Sequence, residues 1–359
     1  MPACLTALEI ENTTNTKHMK HTTLKIAGMA LAIAATAFTA RADVTLSPNV
    51  ATYGYVSALL GYTQYPGGSE NSSTSLDVNA AKLGFAFNFA PVTAKLSFYH
   101  TPDTTVVLEA NATYDFGDGL TATGGRFQSW LGYEPFDVPN CNFITNGNEI
   151  SDLIPNFHEG VHVDYTFGKN TVGVAVVDSI YTGVNSYRGD GKLSDGYGVE
   201  AHYGYNDGNL SIGATLAYQN NRSNNVVFNP DSTWNNTYVG DLWAQYIIAQ
   251  KTTLAAEIYY KRGTQDGYEN LTQYYGLVTL KQQITDQFSL AGRVSSGSSK
   301  SSSTTGSGNF WKISVTPAFA ATKNLVIAGE INYSKYNKVW ADGGKDSNAF
   351  VGVLACFHF

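Results

Sequence analysis

The residues best equipped for chemistry lie between positions 126 and 202. His158-Glu159-Gly160-Val161-His162 matches H-E-x-x-H, in which two histidines hold zinc and the glutamate serves as base. That chemistry needs a helix, which brings both imidazoles onto one face. Gly160 and the alternation Val161, Val163, Tyr165 predict the start of a strand instead. At about 3.3 Å per residue the two histidines then stand about 13 Å apart, too far to share an ion. The match is therefore read as chance, and no metal or other cofactor is expected. His202 beside Glu200 could move protons, but no nucleophile is evidently paired with it, and an interior-facing histidine accounts for it better. Arg188-Gly189-Asp190 spells an adhesion tripeptide that a Gly- and Asp-rich loop produces readily. A hydrolase would need a Ser-His or Asp-His constellation, and His100, His158, His162, His202 and His358 show none by spacing.

A second constellation is electrostatic. Between Ser129 and Glu159 stand Glu134, Asp137, Glu149, Asp152 and Glu159, with no Lys or Arg between Arg126 and Lys169. Trp130, Phe136, Phe143, Ile144 and Leu153 give the same stretch enough apolar surface to fold back against a wall. A connection this long without regular structure of its own is usually functional or disordered. What it does depends on the elements around it.

Those elements alternate with a period of two. Val106 to Phe116 sets Val106, Leu108, Ala110, Ala112, Tyr114 and Phe116 against Val107, Glu109, Asn111, Thr113 and Asp115. Leu76 to Phe89 reads the same way, with Leu83, Phe85, Phe87 and Phe89 on one face, and a bulge is expected at Gly124-Gly125. About sixteen such strands follow one another, of the length a tilted strand needs to cross a bilayer. Short connections such as Ala90-Pro91 and Gly117 to Gly119 alternate strictly with long polar ones such as Asn220 to Asn236 and Ser334 to Asn348. A soluble sandwich has no reason to sort loop lengths in this way.

The two ends agree with export. Residues 1–18 read as an over-extended start, and 19–42 as a secretory signal: Lys20 and Lys25, an apolar run from Ile26 to Phe38, then Ala40-Arg41-Ala42. Removing residues 1–42 leaves 18 basic and 27 acidic residues, a formal charge of −9 that argues against nucleic acid as a partner. Cys141 and Cys356 remain, and no bridge between them is expected. The last stretch, Ala349 to Phe359, alternates again and ends on Phe-His-Phe. It resembles the terminal strand of bacterial outer-membrane barrels, in which the final aromatic is what the assembly machinery recognises; here that implies Phe357 and Phe359.

The expected fold is therefore all-β: one transmembrane antiparallel barrel over residues 43–359, of about sixteen strands, with short periplasmic turns and long extracellular loops. Lipid offers no hydrogen bonds, so the sheet must close. Its polar face then sends Lys82, Lys95, Glu109, Asp115, Asp164, Glu200, Glu257, Lys261, Arg293, Lys312 and Glu330 into the interior. A barrel of this size is too wide for side chains to fill. Segment 129–159 is expected to fold into it as a constriction, with Glu134, Asp137, Glu149 and Asp152 facing Arg126, Arg293 and Lys312 across the gap. Such opposed charges favour hydrated solutes.

Around this segment the chain resembles a known family. Thr113 to Gly119 (Thr-Tyr-Asp-Phe-Gly-Asp-Gly), Gly125-Arg126-Phe127 with Trp130-Leu131-Gly132-Tyr133-Glu134, Pro155 to Val161, and Val174 to Ser179 are similar to the OmpL-like outer-membrane β-barrel porins of the second type. The motif-bearing stretch runs from about Val106 to Tyr181. The resemblance implies a porin without a cofactor, passing small polar solutes passively. The expected setting is the bacterial outer membrane, reached through the general secretory pathway, with lipid, lipopolysaccharide and the barrel-assembly machinery as partners and a homo-oligomer left open. The other classes considered are a surface adhesin or structural anchor and, behind it, an outer-membrane hydrolase.

Overall fold

The structure is a computed structural model, and it describes residues 44–65, 72–150, 153–181, 196–221, 236–264, 270–301, 307–337 and 346–359. The expected leader, Asp152 and the tripeptide Arg188-Gly189-Asp190 lie outside the described residues. In chain order the strands are β1 (Val44–Ser47), β2 (Val50–Gln64), β3 (Ser72–Phe89), β4 (Val92–Thr101), β5 (Thr104–Gly117), β6 (Leu120–Gln128), β7 (Phe157–Phe167), β8 (Asn170–Val177) and β9 (Gly196–Asn206). The second half holds β10 (Leu210–Asn221), β11 (Asn236–Ile248), β12 (Thr252–Thr264), β13 (Leu271–Gln283), β14 (Phe288–Ser301), β15 (Gly308–Thr322), β16 (Leu325–Tyr336) and β17 (Ser347–His358). A 3-10 turn, Val138–Asn140, lies between β6 and β7.

From β2 to β17 each strand pairs antiparallel with the next, and β17 returns to β2 with Val353 opposite Leu60. The result is a closed antiparallel barrel of sixteen strands, with β1 as a short flap on β2. The terminal residue joins the closure, since Phe359 and Gly54 exchange backbone hydrogen bonds of 3.0 Å. Closure leaves no edge for lipid to meet.

Alternation sorts the side chains as lipid requires. Val161, Val163, Val172, Val174, Val176, Leu254, Ile258, Val278 and Leu280 are exposed on the outside, while Glu200, Glu257, Lys261, Arg293, Lys312 and Glu330 are buried within. Aromatic side chains mark both rims, as headgroup-level girdles should. At the extracellular ends Tyr218 meets Tyr238, Tyr260 meets Tyr274 and Trp311 meets Tyr333, with centroids 5.2–5.5 Å apart. At the other rim Tyr165 lies by Phe167, Phe288 by Phe319 and Phe357 by Phe359.

Three expectations are corrected. Leu108 does not share a face with Ala110 and Ala112. The β4–β5 register slips between Ser97 and Phe98, so Leu108 is an extra residue, and both Leu108 and Glu109 are buried. A matching slip on β3 leaves Asn79 extra and turns Leu76 and Val78 outward together with Leu83. One inserted residue reverses every face beyond it. No slip occurs at Gly124-Gly125, where pairing on both sides is continuous. Gly125 is needed there because its φ is +117° and a Cβ would lie 2.2 Å from the Ala110 carbonyl oxygen. Finally, the alternation of loop lengths is not strict: β4 and β5 meet on the extracellular side through only Pro102 and Asp103.

Candidate functional site: the segment inside the barrel

Between β6 and β7 the chain turns inward and packs against the interior wall on two sides. Leu131, Ile150, Leu153 and Ile154 join Val177, Ala217, Val239, Tyr259, Tyr275, Leu277 and Phe310 in one apolar cluster. Phe136, Val138 and Ile144 join Tyr55, Leu59, Tyr99, Leu108, Phe350 and Leu354 in another, on the side of β2 and β17. The apolar residues that stand out in the sequence of 129–159 thus reach opposite walls. Each cluster removes apolar area from water, so the segment is held by the same force that builds a core.

Charge fixes it between these clusters. Glu134 pairs with Arg293 of β14, whose guanidinium also donates to Ser314 Oγ at 3.0 Å and lies 4.2 Å from the Phe143 ring centroid. Glu149 accepts from Lys312 of β15, from Ser334 Oγ at 3.1 Å and from the Tyr336 hydroxyl at 2.9 Å. Asp137 lies 3.1 Å from Lys82 of β3, which also meets Glu109 at 3.1 Å. Acid and base are therefore in direct contact, where the sequence led us to expect them across a gap.

Arg126 is the larger departure. Its cross-strand neighbours are Ala110 on β5 and Glu159 on β7, and Glu159 follows the outward alternation of Val161 and Val163. The guanidinium bonds Glu159 at 2.9 Å and the Leu108 carbonyl at 3.1 Å on the outer side of the wall. Arg126 does not face the inserted segment's acids across the interior.

Sequence reasoning missed a set of anchors. Asp241 of β11 accepts the Gly132 amide at 2.7 Å, and Glu257 of β12 accepts the Tyr133 amide at 2.9 Å. Glu330 of β16 accepts the amides of Ile144 and Thr145, the second at 2.9 Å. Wall carboxylates thus replace the water these loop amides would otherwise need. Glu257 and Glu330 were legible as inward charges; inward alternation with Thr237 and Val239 would have added Asp241.

The histidines are placed by β7. His158 and His162 face inward and Glu159 outward, with separate partners. His158 Nε2 lies 3.0 Å from both Ser129 Oγ and Glu200 Oε1, and His162 Nδ1 lies 2.6 Å from Asp164. These Ser-His and Asp-His contacts were not visible in the spacing. They do not form a relay, which needs the serine and the acid on opposite ring nitrogens. His202 stacks on Trp130 at 5.2 Å. No group of three metal-ligating side chains occurs among the described residues.

Beneath the segment, toward β2–β7, a cavity of about 640 Å³ is lined by Thr93, Lys95, Asn111, Thr113, Thr123 and His162 among others. A wide polar-lined barrel partly filled by one inward segment is the geometry of a porin. Residues 49–359 match the family described as "Putative beta-barrel porin-2, OmpL-like". The chain belongs to this family. Among curated proteins, no sequence matches it. Solved structures of the same fold include Salmonella typhi OmpF in complex with daunomycin (13% identity, TM-score 0.63, covering 88% of this chain and 100% of that one). The outer-membrane channel DcaP of Acinetobacter baumannii matches with 13% identity and TM-score 0.63, over 90% of this porin-family chain and 100% of its own. OmpT of Vibrio cholerae, in a trimer form, matches with 11% identity and TM-score 0.62, over 86% and 99%. Family and fold together indicate the outer membrane.

Proposed function

We propose that the protein is a passive channel through which small hydrophilic solutes and ions cross the outer membrane, and that segment 129–159 sets its width. The observation that carries this reading is the segment's position: it enters a closed polar-lined barrel and is tied to β3, β11, β12, β14, β15 and β16. A surface adhesin has no need to hold a connection inside the wall by so many charged contacts. Diffusion through water requires no reaction and no cofactor. Export by residues 19–42 and recognition of Phe357 and Phe359 by the assembly machinery belong to the same reading. The OmpT relative was solved as a trimer, and we infer that copies of this chain associate as well. Purified protein in a planar bilayer should give discrete conductance steps, and liposomes containing it should swell in small sugars. A folded, inserted protein that does neither would sink the channel reading.

A further inference from the structure

Below the inserted segment the interior wall carries its polar groups in rows. Strand pairing sets Thr93, Thr113, Thr123 and His162 side by side across β4, β5, β6 and β7, and sets Lys95 beside Asn111 in the next row toward the segment. All six line the cavity of about 640 Å³. Neighbours in such a row stand about 5 Å apart, so three hydroxyls and an imidazole form one continuous track. Thr113 and Thr123 share a hydrogen bond of 2.7 Å, which leaves each hydroxyl able to make another. The Asn111 side-chain amide donates to the Arg126 carbonyl at 2.7 Å and keeps its oxygen, while His162 spends Nδ1 on Asp164 at 2.6 Å and keeps Nε2.

Beside this track stands a positive charge that nothing balances. Glu109, which also lines the cavity, is held by Lys82 at 3.1 Å, Ser97 at 2.9 Å and Tyr53 at 3.2 Å. In the row nearer the periplasm Asp164 is held by His162 and Asp115 accepts the Gly117 amide at 2.8 Å; neither lines the cavity. Lys95 is exposed and has no ion pair among the described residues. An ammonium beside a row of hydroxyls suits a ligand with one carboxylate and several hydroxyls, because the charged contact is the stronger one and the track fixes the rest. We propose that the cavity is a binding station for small sugar acids, with the carboxylate on Lys95 and the hydroxyls along Thr93, Thr113, Thr123 and His162. A neutral sugar lacks the charged contact, and a plain carboxylate makes no use of the track. Solute that has passed the inserted segment reaches this station before the periplasm.

This rests on the channel reading above, and the experiment separates the two. Single-channel current in potassium chloride is recorded for the parent, Lys95→Ala, Lys95→Arg and the double variant Thr113→Val, Thr123→Val, while D-glucuronate, D-glucose or acetate is added to both sides. Glucuronate should interrupt the parent current at a half-blocking concentration about tenfold below that of glucose or acetate. Lys95→Ala should raise the glucuronate value about tenfold, Lys95→Arg should keep it, and the double valine variant should raise it while leaving the acetate value in place. A parent that gives no current steps would overturn the channel and the station with it. Steps that glucuronate never interrupts, or interrupts equally in Lys95→Ala, would leave the channel standing and overturn the station. Equal block of the parent by acetate would reduce the contact to simple ion pairing and overturn the recognition of hydroxyls, a comparison that holds even where a variant fails to fold.

Discussion

Two buried arginines, each paired with a glutamate, divide the molecule between them. Arg293 faces inward from β14 and grips Glu134 of the inserted segment; Arg126 faces outward from β6 and grips Glu159 of the adjoining strand. Arg293 is fully enclosed, with Ser314, Phe143 and Glu330 around it. The Glu159 side chain keeps about a third of its exposure. The same chemistry thus does unlike work. Inside, away from water, an ion pair helps to hold the inserted segment against the wall; outside, it marks a part of the wall unlike the aromatic rim elsewhere.

The strongest way to break this comparison is to remove the middle of the inserted segment. Deleting Asn140–Asp152 should raise single-channel conductance several-fold, because a sixteen-strand barrel without an inserted segment leaves an open aqueous lumen. Conductance equal to the parent's would place the segment outside the conducting path. Next in size is the contrast between the two arginines. Arg293→Ala leaves Glu134 enclosed without its partner, a loss of about 3–5 kcal/mol that should loosen the segment and give noisy, enlarged current steps. Arg126→Ala should leave the current through each barrel as it was. Equal effects of the two on current would erase the distinction.

A smaller effect sharpens the electrostatics. Because the acids touch their bases, Glu134→Gln with Glu149→Gln leaves the positive charge of Arg293 and Lys312 unneutralised at the wall of the pore. The reversal potential in a salt gradient should move toward anions, and no movement would mean that the pairs lie away from the ion path. The smallest effect lies outside the membrane. Asp207, in the turn between β9 and β10, accepts the Leu210 amide at 2.8 Å and the Asn209 amide at 3.0 Å, and these hold its carboxyl below the usual carboxylate range. A depressed folded value means the contribution is present above the ordinary carboxylate range and lost as pH falls through the folded value. Asp207→Ala should lower the melting temperature slightly at neutral pH and converge with the parent in strong acid.

Much of the barrel was legible because lipid imposes a period-two code, and that code survives in Val161, Val163, Tyr165 and Phe167 without any knowledge of the fold. The segment's place between β6 and β7 followed from its length and its apolar residues. What escaped were events that break the count. The extra residues Asn79 and Leu108 carry no type-specific signal, so the faces beyond them were read in the wrong phase. Arg126 was taken as inward because charge usually is, and Gly124-Gly125 before it offers no side chain to show the phase. The Ser129–His158 contact joins residues 29 apart and exists only because the segment folds inward. No spacing rule reaches that far.

The most direct test uses the chain's own chemistry. Cys141 lies in the inserted segment, half-buried beside the Pro135 and Asp137 carbonyls, while Cys356 is buried on the inward face of β17. A bulky methanethiosulfonate reagent added to open channels should lower the conductance stepwise, and Cys141→Ser channels should not respond. Parent channels that mass spectrometry shows to be labelled at Cys141, yet conduct as before, would contradict the claim that this segment sets the width of the pore.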